Sequence, residues 1–317
     1  MLPSPGALGV PAWTAEDMAR GESWRLQAPA GLSRDAESLA SWAASQVDPV
    51  AALHQGALQL PAVQALADAV GRELDAGTGV AWVRGLPPMA ELPLRLLYLA
   101  TGQALGTVLE TYGRLYDVAD SGASYRDKPI PVSQTRESTG MHTDSSGKAV
   151  CPRVIGLLCI RQAPRGGLSR VVSAARAHEQ LRASAPAALE RLYGEYSRDV
   201  VTPGAERDAA RVAANRFPVF SCDGRLKLRY MRYWIERGHA RAELPLGPED
   251  LAAFDALDGR LEDPANVLTF RMSPGEMLFV DNTTTAHDRD AYEDDPAAPR
   301  LLVRLWVDRP TPEEERT

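Results

Sequence analysis

From Pro152 onward the apolar residues of this chain come in short runs, each cut off by a turn signal before it grows long enough to make a helix. Val154–Ile160 and Leu168–Ser173 flank Gly166-Gly167, and Phe217–Ser221 and Leu226–Met231 flank Cys222-Asp223-Gly224-Arg225. Val267–Met272 and Glu276–Asn282 flank Ser273-Pro274-Gly275, and Arg300–Asp308 closes the series. Runs of this length between Gly, Pro and Asp-Gly read as strands, and strands joined by such tight turns pair antiparallel. Their apolar faces must be buried against one another, which restricts the chain to a sandwich or a barrel.

Helices are expected around this β region. Val63, Leu66, Ala67, Val70 and Leu74 recur at helical spacing between Pro61 and Gly77, where Gly77-Thr78-Gly79 supplies a stop. Gly79–Gly85 reads as a short strand and Leu92–Gly106 as a second helix. Ala174–Ala183 and Pro248–Leu261 add two more, the latter opening with Pro248-Glu249-Asp250 as a helix N-terminus does. The expected fold is mainly β with flanking helices around a double-stranded β-helix, or jelly-roll, core. Residues 1–30, rich in Pro, Gly and Ala with weak periodicity, read as an N-terminal arm lying over the surface or loosely ordered. Residues 31–317 read as a single jelly-roll domain with an N-terminal helical layer, a length that large all-β units with helical insertions reach.

Composition narrows the partners. A net charge of -7 offers no basic field for nucleic acid or an anionic membrane, so a small-molecule substrate is expected. No window holds the long apolar run of a membrane-spanning helix, and no repeat period appears. The 3 cysteines cannot all pair, none forms a CxxC, and no basic-then-apolar leader opens the chain, which points to a reducing, cytoplasmic setting. Oligomeric state is not encoded in any of these patterns. No Walker loop, GxSxG elbow or HExxH helix is present.

Of the 5 histidines, His142 stands in Gly140-Met141-His142-Thr143-Asp144. In an extended segment residues two apart share a face, so His142 and Asp144 can grip one ion together. HxD recurs by chance and needs distant support. That support is His287, just past the strand ending Phe279-Val280-Asp281-Asn282, because a barrel brings remote strand ends together. Two imidazoles and one carboxylate leave three positions of an octahedral ion open, which suits non-haem iron(II) oxygenases and suits a closed structural zinc site poorly. Arg300 and Arg304 lie four apart on the following strand, facing one side, where either can pair with a carboxylate of a bound molecule or, more plainly, with Asp294, Asp295 or Asp308 at the rim. His54, His178 and His239 have no HxD partner and read as structural or exposed.

Taken together, His142-x-Asp144, the distant His287 and Arg300-x3-Arg304 resemble the iron and 2-oxoglutarate sites of the taurine dioxygenase and clavaminate synthase superfamily, from about Gly79 to Val307. Gly166-Gly167-Leu168-Ser169 is similar to that family's Gly-Gly-x-Ser/Thr turn, and Pro274–Asn282 to the strand that leads into its distal histidine. The resemblance implies Fe(II) held by His142, Asp144 and His287. It also implies 2-oxoglutarate and O2 as co-substrates, with Arg300 and Ser169 on the distal carboxylate of 2-oxoglutarate and Arg304 as the competing anchor. The chain departs from the family phrase after the third ligand, where Asp288-Arg289-Asp290 stands in place of the usual glycine, which leaves the substrate-side contacts open. A carboxylate at Asp144, where the family's halogenases bind chloride, implies oxidation rather than halogenation.

The implied reaction is oxidation, by default hydroxylation, of a small, amino-acid-like or natural-product substrate, with release of succinate and carbon dioxide. No catalytic residue is expected beyond the metal centre. Segments mixing aromatics with arginine, Tyr112–Asp117 and Arg229–Trp234, nominate Tyr116, Arg229 and Arg232 as substrate contacts, against the plainer reading of arginine stems covering a barrel wall. Two other readings share the pattern: a catalytically silent metal- or ligand-binding jelly roll, and a cupin-type oxygenase that does not use 2-oxoglutarate.

Overall fold

The computed structural model describes residues 3, 8–126, 130–145, 147–200 and 205–311. Its spine is a seven-stranded mixed sheet in the order Arg25–Gln27, Val80–Arg84, Met277–Asp281, Val154–Arg161, Leu301–Asp308, Thr107–Leu109, with Tyr116–Val118 also paired to Leu301–Asp308. Only the first pair, Arg25–Gln27 on Val80–Arg84, is parallel. A smaller antiparallel sheet runs Leu268–Phe270, Ser169–Ser173, Thr285–Arg289. It is continued past Thr285–Arg289 by a bridge from His142 to His287, and then by Thr143, whose N–H donates to the Tyr230 carbonyl at 2.7 Å.

Alternation of side chains along the strands decides what lies on each face. Leu278 and Val280 turn inward to meet Val171 and Leu268 of the small sheet, while Met277 and Phe279 turn outward onto helices. Likewise Leu302 and Trp306 face the space between the sheets, and Val303, Leu305 and Val307 the helical side. That outer layer is formed by Leu32–Ala43, Pro61–Ala76 and Glu91–Leu105. Pro61–Ala76 buries the expected Val63, Leu66, Ala67, Val70 and Leu74, and the Glu73 carboxylate accepts from the Thr78 N–H at 2.8 Å where the chain turns into the strand. Ala174–Ser184, Pro186–Leu192 and Pro248–Leu261 cover the outer face of the small sheet together with Val172, Ala286 and Leu228.

The arm is more engaged than its composition suggests. Residues 1–2 and 4–7 lie outside the described residues, but Trp13, Met18 and Trp24 are buried, Ala15–Arg20 is a helix closed by a Thr14–Asp17 capping box, and Arg25–Gln27 is an edge strand of the large sheet. Aromatic burial rather than periodicity anchors it: Trp24 stacks on Trp82 at 5.6 Å, and Phe270 closes on Trp82 at 4.7 Å. The Asp-Gly hairpin forms with Phe220–Cys222 on Leu226–Leu228 and Gly224 at φ +92°, whereas Arg216–Pro218 pairs instead with Glu195–Ser197. Among the described residues no helix is long and apolar enough to cross a membrane.

Candidate metal centre and co-substrate cavity

His142 and His287 are set side by side by their backbones. Each N–H donates to the other's carbonyl, at 3.0 and 2.8 Å, so the two residues form a hydrogen-bonded antiparallel pair with ring centres 4.7 Å apart. Asp144 follows two residues on, its N–H donated to Asn282 Oδ1 at 2.7 Å while Asn282 Nδ2 returns a bond to the Asp144 carbonyl at 3.1 Å. The donor atoms of the three side chains all lie within 4.8 Å of one another.

Hydrogen bonds leave the right lone pairs unoccupied. His142 Nδ1 lies 2.8 Å from the Gly140 carbonyl, which makes that nitrogen the protonated one and leaves Nε2 bare. The Asp144 carboxylate is divided: Oδ2 accepts from Trp306 Nε1 at 2.8 Å and Arg304 Nη1 at 3.1 Å, and Oδ1 faces His142 Nε2 and His287 Nε2 at 3.6 and 3.8 Å. Burial would by itself push the Asp144 carboxyl up, but the Arg304 charge and the two imidazoles outweigh it and hold the group well below the usual carboxylate range. Burial pushes His287 down, towards the neutral form a metal needs; for His142 burial acts in the same direction but Asp144 overrides it and the value is raised. One anionic oxygen and two nitrogens, with no thiol among them, fit a divalent iron with open positions.

Two cavities meet at this centre. One is lined by Ser169, Arg289 and Arg300 with an apolar wall from Ile155, Leu278 and Leu302; the other by Tyr112, Met231, Trp234 and Trp306. Ser133, His142, Asp144 and Arg304 border both.

The two arginines that the sequence left unranked separate here. Arg304 is spent on Asp144 and is boxed by the rings of Tyr116, Trp306 and Tyr112 at 4.9 to 5.4 Å. Arg300 is 2% exposed, reaches the first cavity, and pairs with none of Asp294, Asp295 and Asp308 through its side chain; its Nε donates to Gln162 Oε1 at 3.0 Å. Burial, with the Arg289 charge adding to it, brings its guanidinium down to about 10. The Gly-Gly turn explains itself beside it. A Cβ on Gly166 would meet the Ala291 carbonyl at 2.1 Å, and one on Gly167 (φ +69°) would meet Gln162 Oε1 at 2.9 Å and Arg300 Nε at 3.1 Å.

Among the nominated substrate contacts, Tyr116 stacks on Arg304 and accepts from Gln134 Nε2 at 2.7 Å. Like Tyr116, Arg229 and Arg232 line neither cavity. Arg229 points into the loop after Asp144, donating to the carbonyls of Ser145, Gly147 and Val150, and Arg232, at the start of the helix Arg232–Arg241, is taken up by Glu236, Asp255 and Asp258. Helical geometry, absent from the hairpin reading of this segment, turns Arg232 away. His178 is fully buried against Tyr193 and Phe220, consistent with a structural histidine.

The unusual Asp288-Arg289-Asp290 proves to be a set of fasteners that sequence reasoning did not resolve. Asp288 accepts from Thr139 Oγ1 at 2.6 Å and from Arg170 at 2.7 Å, tying down the approach to His142, and Asp290 accepts from the Leu168 N–H at 2.6 Å behind the Gly-Gly turn. Arg289, between them, faces the cavity. The available signal was strand alternation from His287.

Fold and open ligand set define a non-haem iron oxygenase. Residues 45–306 match the family described as taurine catabolism dioxygenase TauD, TfdA family, and the chain belongs to that family of iron(II)- and 2-oxoglutarate-dependent dioxygenases. It is 29% identical over 247 residues to FR-33289 synthase of Streptomyces rubellomurinus, covering 74% of this chain and 70% of that protein. It is 32% identical over 186 residues to a uridine-5'-phosphate dioxygenase of a Streptomyces species, covering 55% and 63% respectively. Among solved structures, asparagine oxygenase in complex with Fe(II), 2S,3S-3-hydroxyasparagine and succinate aligns with a TM-score of 0.64 at 18% identity, covering 90% of this chain and 93% of that one. The non-haem iron oxygenase OrfP in complex with Fe and alpha-ketoglutaric acid aligns at 0.63 and 14%, covering 92% and 96%. At these identities the structural likeness speaks for the fold, a mixed sheet with helices.

Proposed function

We propose that His142, Asp144 and His287 hold the iron(II), that Arg300 and Ser169 receive the distal carboxylate of 2-oxoglutarate, and that the enzyme oxidises, by default hydroxylates, a small polar metabolite. The observation that carries the reading is the division of the Asp144 carboxylate, one oxygen committed to Arg304 and Trp306 and the other left facing Nε2 of both His142 and His287. When bound, iron(II) with 2-oxoglutarate turns dioxygen into an oxidant for an unactivated C–H bond and the co-substrate leaves as succinate and carbon dioxide.

The chain's own residues orient and shield. Arg300 supplies a buried, preformed guanidinium for a carboxylate, and Gln162 and the Gly167 turn fix its direction. Ile155, Leu278 and Leu302 keep that cavity dry, which strengthens the pairing. On the opposite side Tyr112, Met231, Trp234 and Trp306 form an aromatic and thioether wall against which a substrate would lie, with Arg304 at its edge and Tyr116 behind that arginine. The relatives include a uridine-5'-phosphate dioxygenase, and the solved neighbours include complexes with hydroxylated asparagine and arginine. A small, amino-acid-like or natural-product substrate fits this wall.

The face-to-face sheets, with the ligands on adjoining strands at one end, support a double-stranded β-helix core. The shared packing of Leu26 with the helical layer supports one domain in which the arm takes part. Three free cysteines support a reducing, cytoplasmic setting.

Anaerobic titration of the protein with iron(II) and then 2-oxoglutarate tests the assignment. A weak visible charge-transfer band is expected in wild type and its loss in His142→Ala. Iron binding without a band in wild type would overturn the co-substrate reading.

A further inference from the structure

Arg289 shares a strand face with His287, two residues before it, and the register of Thr285–Arg289 on Ser169–Ser173 sets Arg289 directly opposite Ser169. Both line the cavity that holds Arg300. The guanidinium carbons of Arg289 and Arg300 lie 4.8 and 5.0 Å from the centre of the same ring, Tyr292. Neither arginine makes an ion pair with a carboxylate among the described residues. Arg289 Nη2 donates to the carbonyls of Thr135 and Glu137 at 3.0 and 2.7 Å, Arg300 Nε to Gln162, and Arg289 Nη1 is buried with no partner among the described residues.

Two guanidiniums drawn out of water around one ring repel each other, and a donor without an acceptor adds its own desolvation cost. An anion between them relieves both. We propose that Arg289 is a second cationic contact for the distal carboxylate of 2-oxoglutarate, completing with Arg300 and Ser169 a three-sided cradle; this rests on the assignment of that cavity to the co-substrate. A carboxylate has about four lone-pair positions, enough for two guanidiniums and a hydroxyl at once. The preference for a five-carbon diacid over a monoacid is thereby shared between two arginines.

The competing role for Arg289 is as a brace for the 135–137 segment, and choice of ligand separates the two. Binding of 2-oxoglutarate and of 2-oxopentanoate, which keeps the oxo acid end and lacks the distal carboxylate, is measured anaerobically by calorimetry on iron(II)-loaded wild type, Arg289→Gln and Arg289→Lys. Arg289→Gln is expected to weaken 2-oxoglutarate by about tenfold or more and to leave 2-oxopentanoate where it was. Arg289→Lys, which keeps the charge and loses the fork, shifts the same ratio in smaller measure and serves alone if the glutamine variant does not fold. Equal weakening of both acids, or of neither, overturns the proposal and leaves Arg289 a brace. If wild type itself does not prefer 2-oxoglutarate, the co-substrate assignment of the cavity fails, a result distinguishable because it appears before any substitution.

Discussion

Trp306 Nε1 donates to Asp144 Oδ2 over 2.8 Å, joining the last strand of the large sheet to the loop that carries two of the three candidate ligands. The bond reserves Oδ2, so Asp144 would offer a metal its other oxygen. Trp306→Phe keeps the ring and removes the donor. Iron(II) affinity is expected to fall about tenfold, in line with losses of partners behind metal ligands, while the fold persists; equilibrium metal competition checks it.

Gly167 occupies left-handed space against Arg300 and Gln162. Gly167→Ala is expected to cost about 1–2 kcal/mol of stability from backbone strain and to weaken 2-oxoglutarate binding by displacing the Arg300 side chain, with metal affinity retained. Denaturant melts and the anaerobic titration read the two effects separately.

Arg229 and Arg232, alike in sequence, are expected to differ in stability experiments. Arg229→Ala removes a half-buried cation bonded to the loop carbonyls at Ser145, Gly147 and Val150 and should destabilise by about 2 kcal/mol. Arg232→Ala breaks partly exposed ion pairs at a helix start and should cost at most about 1 kcal/mol. Similar losses for the two would contradict their placement.

Burial, with the Arg182 charge adding to it, lowers the His178 imidazole to about 4. In the unfolded chain it titrates near 6.5, so as pH falls the unfolded state takes up a proton first. The contribution is complete above about pH 6.5 and is lost on descending to about pH 4, with a span of about 3 kcal/mol. Melts across this window should show His178→Gln to be flatter than wild type.

What was legible beforehand followed local rules. HxD is a matter of two-residue alternation, the strands of turns and short apolar runs, and the helix Pro61–Ala76 of a broad apolar stripe. Arg232–Arg241 was missed because only Trp234, Ile235 and Gly238 are buried, too thin a stripe to show among its charges. Leu32–Ala43 hides its face behind alanines at 36 and 43. The division of labour between Arg300 and Arg304 needed a fact no local pattern holds: which inward side chain of the last strand meets Asp144 between the two sheets.

The mutual backbone bonds of His142 and His287 join residues separated by almost half the chain. Closing so long a loop carries an entropic cost that is recovered only when both sheets assemble, so this contact belongs to the late part of folding. During synthesis the first two proposed ligands emerge with no third to join them, and a partial set would bind an ion only weakly. On that assignment the polypeptide would acquire its metal as a finished fold, and metal occupancy in a preparation would count the molecules whose two distant strands have found each other.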